Sequence, residues 1–408
     1  MLDIRYIREN QDEVRRSIER RGARADLNRW LTLDARRSEL IPEVEAHRSK
    51  LNVKGKPTAE QLAALQANKQ VLSKLEEELA YVEQEWTSIL EEIPNRIADD
   101  TPDGGEESNR DERHVGKIPD FDFPVKDHLE LNETLHYMDF TRGTKVAGAR
   151  FYFLRDKGAR LWDAVVILTK RIIREHGFEI LYVPEMVNGR VAKGTGFLPR
   201  GEESQIYQID GEDLNLIATA ELPLTGMHMD DVLDLTKPLR YAAVSTCYRK
   251  EAGTYGKFSK GLYRVHQFDK LEMYTFCRPD ESEARLDDIL ALEEAINQAL
   301  GIPYRVTRTA AGDMSAPAFR KYDTEYWSPQ DKTWRELTSC SNCTDFQARR
   351  LNIRYRNADG KLDYAHSLNG TAVTSSRTLV AIIENYQTAD GQVKLPPALA
   401  EIYGGEYL

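Results

Sequence analysis

The run Leu262-Tyr-Arg-Val-His-Gln-Phe-Asp-Lys-Leu-Glu-Met-Tyr-Thr275 decides how the larger part of the chain is read. With a strand's two-residue period, Arg264, His266, Phe268, Lys270 and Glu272 fall on one face, and Val265, Leu271 and Met273 on the other. Such a face suits a nucleotide-binding floor, with Arg for phosphate, Phe to stack on a base and Glu for an ammonium group. A solvated strand with cross-strand ion pairs is the alternative. Upstream, Arg249 and Glu251 repeat the same-face spacing at the end of a strand Tyr241–Tyr248. The stretch between the two strands, 252–261, is rich in Gly and Lys and suits a mobile loop over phosphates or an RNA end. Further outward, strands are expected at about 322–328 and 333–338, and a helix over Lys157–His176 precedes a short strand, Glu179–Pro184. Consecutive strands without helices between them predict an antiparallel sheet, and no Gly-rich Walker or dinucleotide fingerprint is present.

The N-terminal part follows another period. Leu72, Leu75, Leu79, Val82, Trp86, Ile89 and Ile93 step by threes and fours, and Trp30, Leu33, Leu40, Val44 and Leu51 share that spacing, with Arg37 and His47 in two seam positions. Residues 53–58, Val-Lys-Gly-Lys-Pro-Thr, break helix, so the two segments predict an antiparallel hairpin about 50 Å long. Pro42 should kink its first helix. Residues 1–56 carry 14 basic against 10 acidic side chains and residues 57–112 carry 4 against 15, so the first helix is basic and the second acidic. Residues 94–126, with four prolines and many charges, read as a linker.

Of the 408 residues, 56 are basic and 67 acidic, and a net charge of −11 gives no whole-molecule basic field of the kind that announces nucleic-acid binding. No apolar run is long enough for a membrane span, and the first residues lack the apolar core of a secretory signal, so a cytoplasmic protein without membrane attachment is expected. Cys247, Cys277, Cys340 and Cys343 are too few to staple such a chain and are expected as thiols. Cys340-Ser-Asn-Cys343 has no second pair or nearby histidines to complete a zinc site, so no zinc is expected. His136, His228, His266 and His366 read as structural.

Taken together, Cys247-Tyr-Arg-Lys-Glu-Ala-Gly253 and Arg264-Val-His-Gln-Phe-Asp-Lys-Leu-Glu272 resemble motif 2 of the class II aminoacyl-tRNA synthetases in its seryl form. Thr219-Ala-Glu221, Gly312-Asp-Met, Arg335-Glu-Leu-Thr-Ser-Cys-Ser-Asn-Cys through Arg349, and His366-Ser-Leu-Asn369 through Arg377 to Glu384 follow in the order of that family. The resemblance spans nearly the whole chain. It implies an α+β fold: an N-terminal antiparallel coiled-coil hairpin, then a class II catalytic domain built on an antiparallel β-sheet flanked by helices. A tRNA-binding domain would cover 1–110 with its arm at about 27–93, a linker 111–126, and the catalytic domain 127–408.

The same resemblance implies a two-step ligase that makes seryl-adenylate from L-serine and ATP, then moves serine to tRNA(Ser), with tRNA(Sec) a further acceptor to be considered. Arg249, Arg377 and Glu336 would be catalytic. ATP would meet Arg249, Lys250, Glu251, Arg264, Val265, His266, Gln267, Phe268, Glu336, Leu337, Thr338, Ser339 and Arg377. Serine would meet Thr219, Ala220, Glu221, Arg249, Glu272, Asn369 and Thr371. Glu336 and Ser339 would hold Mg2+, and their offset of three requires a bulge or strand end near Leu337. Arg36, Arg37, Arg48 and Lys50 would meet tRNA phosphates, and the helix around 157–176 would form a homodimer contact. Asn369-Gly-Thr-Ala-Val-Thr-Ser-Ser-Arg377 lacks two glycines usual in bacterial members. An adenylate-forming paralogue loading a carrier, and a catalytically silent relative, stay open as alternatives at this level.

Overall fold

The computed structural model describes residues 1–52, 58–197, 205–251 and 260–408. These form two compact units, Met1–Arg96 and Ile97–Leu408. Residues 53–57 of the expected hairpin turn at 53–58, and most of the Gly- and Lys-rich stretch 252–261, lie outside the described residues.

In the first unit, two short helices, α1 (Ile4–Glu9) and α2 (Gln11–Arg20), precede two long ones, α3 (Leu27–Ser49) and α4 (Ala59–Glu92). The Asp26 carboxylate accepts the Arg29 N–H at the start of α3, and Thr58 and Gln61 form a reciprocal cap on α4. Trp30, Leu33, Leu40 and Val44 are buried with Leu72, Val82, Trp86 and Leu90, and the Trp30 and Trp86 rings stack at 5.7 Å. Ion pairs Arg29–Glu85, Arg36–Glu78 and Arg48–Glu76 descend α4 as they climb α3, so the helices run antiparallel. Helix α3 continues through Pro42. Near the end of α4, Leu90 takes the buried place expected for Ile89, because a straight helix drifts against a strict heptad.

The two polar seam residues are both accommodated. The Arg37 guanidinium lies over the Trp86 ring at 5.0 Å and donates to Glu83, while His47 pairs with Asn68. Asp34 is the buried acceptor of the seam: it takes two bonds from Arg8 at 2.6 and 2.8 Å and one from the Trp86 indole at 3.1 Å. Asp34→Ala strands the buried Trp86 indole N–H, while the half-exposed Arg8 turns to solvent, and should cost the first unit about 1–2 kcal/mol. A thermal melt followed by far-UV circular dichroism would show this as an earlier loss of helix, and an unchanged melt would mean that the Trp86 indole finds an equivalent acceptor.

The second unit is built on an eight-stranded sheet. In chain order its strands are β1 (Arg110–Val115), β2 (Glu179–Leu181), β3 (Leu239–Tyr248), β4 (Gln267–Cys277), β5 (Tyr304–Arg308), β6 (Arg320–Ser328), β7 (Thr333–Thr344) and β8 (His366–Thr374). Their spatial order is β1-β5-β6-β7-β8-β4-β3-β2. All neighbours are antiparallel except β2, which runs parallel to β3. Helices α5 (Asp156–Glu175), α6 (Ser282–Ala299) and α7 (Arg377–Asn385) bury Leu161, Val165, Ile289, Ile296, Leu379 and Ile383 in one core with Leu271, Met273, Val306 and Leu368 of the sheet.

Four strands depart from the sequence reading. Residues 110–115, expected within a linker, form the edge strand β1. Arg-Asp-Glu-Arg-His-Val shows almost no apolar alternation, and backbone pairing with β5 places a strand that periodicity hides. β5 and β8 were not expected as strands. β4 begins only at Gln267, so residues 264–266 do not alternate as strand residues.

Candidate active site

The inward face of β4, β6, β7 and β8 opens on a cavity of about 500 Å³. Two bulges shape it. Thr324 pairs with Thr338 but Glu325 pairs with Glu336, so Leu337 is the extra residue in β7. Glu336 and Ser339 therefore both face the cavity despite their offset of three, as the sequence required. In β8 the register slips between Thr371 and Val373.

Cations gather at one end of the cavity. Arg377, the first residue of α7, reaches back to Glu336 at 3.0 Å, and Arg264 reaches Glu251 at 3.1 Å. The Arg249 guanidinium lies over the Phe268 ring with its carbon 5.1 Å from the ring centre, and its Nε donates to the Ala218 carbonyl. Desolvation by the cavity walls opposes ionisation of Glu336, whose side chain still keeps 47% of its surface exposed, but Arg377 and Lys321 outweigh it and hold the carboxyl down to about 2. Glu251 has φ +48°, a left-handed conformation that a glutamate adopts at a cost and that clusters at functional sites.

At the other end, Glu272 pairs with Lys270 at 2.5 Å and accepts from the Thr371 hydroxyl at 3.4 Å. Glu221 accepts from Gln347 at 2.7 Å and Asn369 at 2.9 Å, and its own N–H donates to the Thr219 hydroxyl. Gln347 is fixed in turn by Tyr274 and Ser367. Burial, reinforced by the nearby Glu272 charge, pushes Glu221 up to about 7 against the opposing pull of Gln347, Lys270 and Asn369. Two carboxylates with one lysine leave room for one further cation, such as an amino acid's ammonium group.

Of the residues expected from sequence, Arg249, Glu251, Arg264, Val265, Phe268, Glu336, Leu337, Thr338, Ser339 and Arg377 line this cavity, as do Thr219, Glu221, Glu272, Asn369 and Thr371. Lys250, His266, Gln267 and Ala220 are not among its described lining residues. Lys250 lies by the Tyr207 ring, Ala220 is fully buried, and His266 is held by the Arg249 carbonyl. The late start of β4 explains the pattern: Arg264 and Val265 both line the cavity ahead of the strand, and within the strand only 268, 270 and 272 point inward.

Sequence reasoning missed Lys321, Ser341, Cys343 and Gln347, and it gave Lys270 a face but no partner. Lys321 Nζ sits 2.8 Å from Asp323. Of the expected RNA contacts, Arg36, Arg37 and Arg48 are already engaged with Glu78, Glu83 and Glu76, and Lys50 is exposed at the end of α3.

Comparison with known proteins gives this geometry its family. Residues 1–97 match the model of the seryl-tRNA synthetase N-terminal domain, and residues 205–386 match the tRNA synthetase class II core domain (G, H, P, S and T). The chain is 42% identical to the serine–tRNA ligase of Treponema denticola, with 99% of each covered, and 42% identical to that of Rubrobacter xylanophilus, with 100% and 99% covered. Among solved structures it matches the seryl-tRNA synthetase of Pyrococcus horikoshii complexed with ATP, with a TM-score of 0.91 and 36% identity over 100% and 99% of the two chains. The cytoplasmic serine–tRNA ligase of Naegleria fowleri in complex with AMP follows, with a TM-score of 0.86 and 31% identity over 100% and 98%. From its hairpin to the bulged strand under its cavity, the chain belongs to the seryl-tRNA synthetase family.

Proposed function

We propose that this protein is a serine–tRNA ligase that activates L-serine with ATP and passes it to the 3′ end of tRNA(Ser). The observation that carries the reading is a single cavity with three guanidinium groups and Phe268 at one end and the Glu221–Lys270–Glu272 set at the other. In the first step a serine carboxylate oxygen attacks the α-phosphorus of ATP, and pyrophosphate leaves. In the second, a hydroxyl of the terminal ribose attacks the seryl carbonyl, and AMP leaves.

Phe268 stacks on the adenine, Glu251 accepts from its amine, and Arg249 neutralises the α-phosphate beside the serine carboxylate. Arg264 and Arg377 take the remaining phosphates. Glu221, Glu272, Thr219, Asn369 and Thr371 receive the ammonium group and hydroxyl. Glu336, held ionised, and Ser339 offer the oxygen donors that a hard cation shared with phosphates prefers, so they fit Mg2+, which would offset phosphate charge when bound. We further assign the first unit to tRNA binding, with tRNA(Sec) as a second acceptor, and read the enzyme as a cytoplasmic homodimer. Among the described residues no helix is long and apolar enough to cross a membrane. Serine-dependent ATP–pyrophosphate exchange, measured beside charging of total tRNA, tests the assignment. Exchange with another amino acid, or none with serine, would overturn it, and nothing in the described site favours a carrier-loading or silent relative.

The pH dependence follows from Glu221. Below about pH 7 its carboxyl is largely protonated in the empty pocket, and an arriving ammonium group favours the ionised form. Serine binding then releases a proton. The KM for serine should fall as pH rises toward 7, by up to about tenfold per unit, and level off above it. Measuring exchange from pH 5.5 to 8.5 checks this: a flat serine KM would mean that Glu221 is ionised before serine arrives.

A further inference from the structure

Behind the cavity, on the opposite face of the sheet, lies a carboxyl that the reaction as described does not use. Glu293 of α6 is fully buried. Its Oε2 accepts from the Thr324 hydroxyl of β6 at 3.2 Å and from the Thr338 hydroxyl of β7 at 2.9 Å. These threonines are a directly opposed cross-strand pair, and Thr338 immediately follows the bulge residue Leu337. The other oxygen, Oε1, has no hydrogen-bond partner. It faces Gly370 of β8, where an added Cβ would sit 3.1 Å from it, and Gly370 lies between the cavity residues Asn369 and Thr371. One side chain thus touches the back of three adjacent strands where their front carries the site.

We propose that Glu293 is a positioning residue for the nucleotide end of the cavity: by tying Thr324 to Thr338 it fixes the register on one side of the Leu337 bulge, and so the direction in which Glu336 and Ser339 face. This rests on the reading of the cavity as an ATP and serine site. A buried carboxyl with an unpaired oxygen is a costly choice for a merely structural core, where an aliphatic residue would pack without leaving an orphan atom. Burial, with the charges of Glu272 and Asp323 nearby, keeps the Glu293 proton on well above the ordinary carboxyl range. The group therefore ties the strands without adding negative charge beneath bound phosphates. The bulge needs such a tie because its extra residue leaves the ladder locally unpaired, while the serine end is held from the front by Gln347 and the Lys270–Glu272 pair.

The test compares Glu293→Leu, Glu293→Gln and Thr324→Val in the full-length protein, by pyrophosphate exchange kinetics, calorimetric titration with ATP alone and thermal melting. Glu293→Leu should raise the KM for ATP and weaken ATP binding by about tenfold or more, with the serine KM changed less than about threefold. Glu293→Gln, whose amide oxygen can still accept both hydroxyls, should restore most of the ATP affinity. Thr324→Val, which removes one tie without touching the cavity, should shift ATP binding in the same direction by a smaller factor, and serves if Glu293→Leu does not fold. Normal ATP binding in Glu293→Leu or, failing that, in Thr324→Val, or equal losses toward ATP and serine, would overturn the proposal. Absence of serine-dependent exchange in the unaltered protein would instead overturn the functional reading itself.

Discussion

Arg249→Ala should lower kcat/KM for serine-dependent ATP–pyrophosphate exchange by about 10³-fold, with little change in the thermal midpoint. The guanidinium is held before substrate arrives, by Phe268 below it and by the Ala218 carbonyl at its Nε, so its charge is already placed where negative charge develops on the α-phosphate. Water entering the vacated space would have to reorient during the reaction, and the preformed charge does not. Arg249→Lys keeps a cation but loses the planar fork and the contact with the ring, so it should recover only part of the loss. Exchange in Arg249→Ala within tenfold of the unaltered protein would remove Arg249 from the reacting centre.

Shortening the arm should produce a comparable loss confined to the second step. The seam shows where to cut. Trp30, Leu33, Val82, Trp86 and Leu90 pack with Ile7, Val14 and Ile18 of the short helices, so a deletion reaching residue 28 would expose that core. Replacing residues 38–80 with a short linker keeps the base intact. Charging of tRNA should then fall by about 10³-fold as the arm with Arg48 and Lys50 is lost and Arg36 and Arg37 are left at a truncated end, with pyrophosphate exchange retained. Undiminished charging would show that the arm is not a recognition element. Because Arg36, Arg37 and Arg48 already pair with glutamates of α4, a phosphate must compete for them, and replacing all three together with Lys50 should flatten the salt dependence of binding by less than the four contacts their number suggests.

What could be read from the sequence was whatever one face or one period records. The seam of α3 and α4 was legible because Leu, Val and Trp recur at helical spacing, and the Phe268, Lys270 and Glu272 face because a strand alternates. Strand β1 was not, since its pairing is carried by backbone groups and its side chains are nearly all polar. Gln347 lay inside a recognised run, yet its contact with Glu221 joins residues 126 positions apart, a distance no local pattern spans. Lys321 and Asp323 alternate on β6 as any exposed ion pair would, and only the position of that strand beside β7 turns Lys321 toward the cavity. The glutamate behind the sheet was hidden in the same way: on α6 it is one of several acidic residues, and nothing in their order says which one points inward.

The bulge at Leu337 also changes the numerical parity of β7. Before it, the cavity-facing residue is even-numbered, Glu336; after it, Ser339, Ser341 and Cys343 are odd-numbered. Counting by twos from Glu336 would instead select Thr338, Cys340 and Asn342, of which Thr338 sends its hydroxyl to the back of the sheet. The strand therefore changes its cavity-facing parity at one residue, with the two cation ligands Glu336 and Ser339 on either side of the change. A library meant to alter which amino acid is accepted would vary the odd positions 341 and 343 and leave the cation ligands 336 and 339 fixed, whereas pairing Leu337 into the ladder, so that the bulge is lost at unchanged length, would turn Glu336 to the opposite face from Ser339 in a single event.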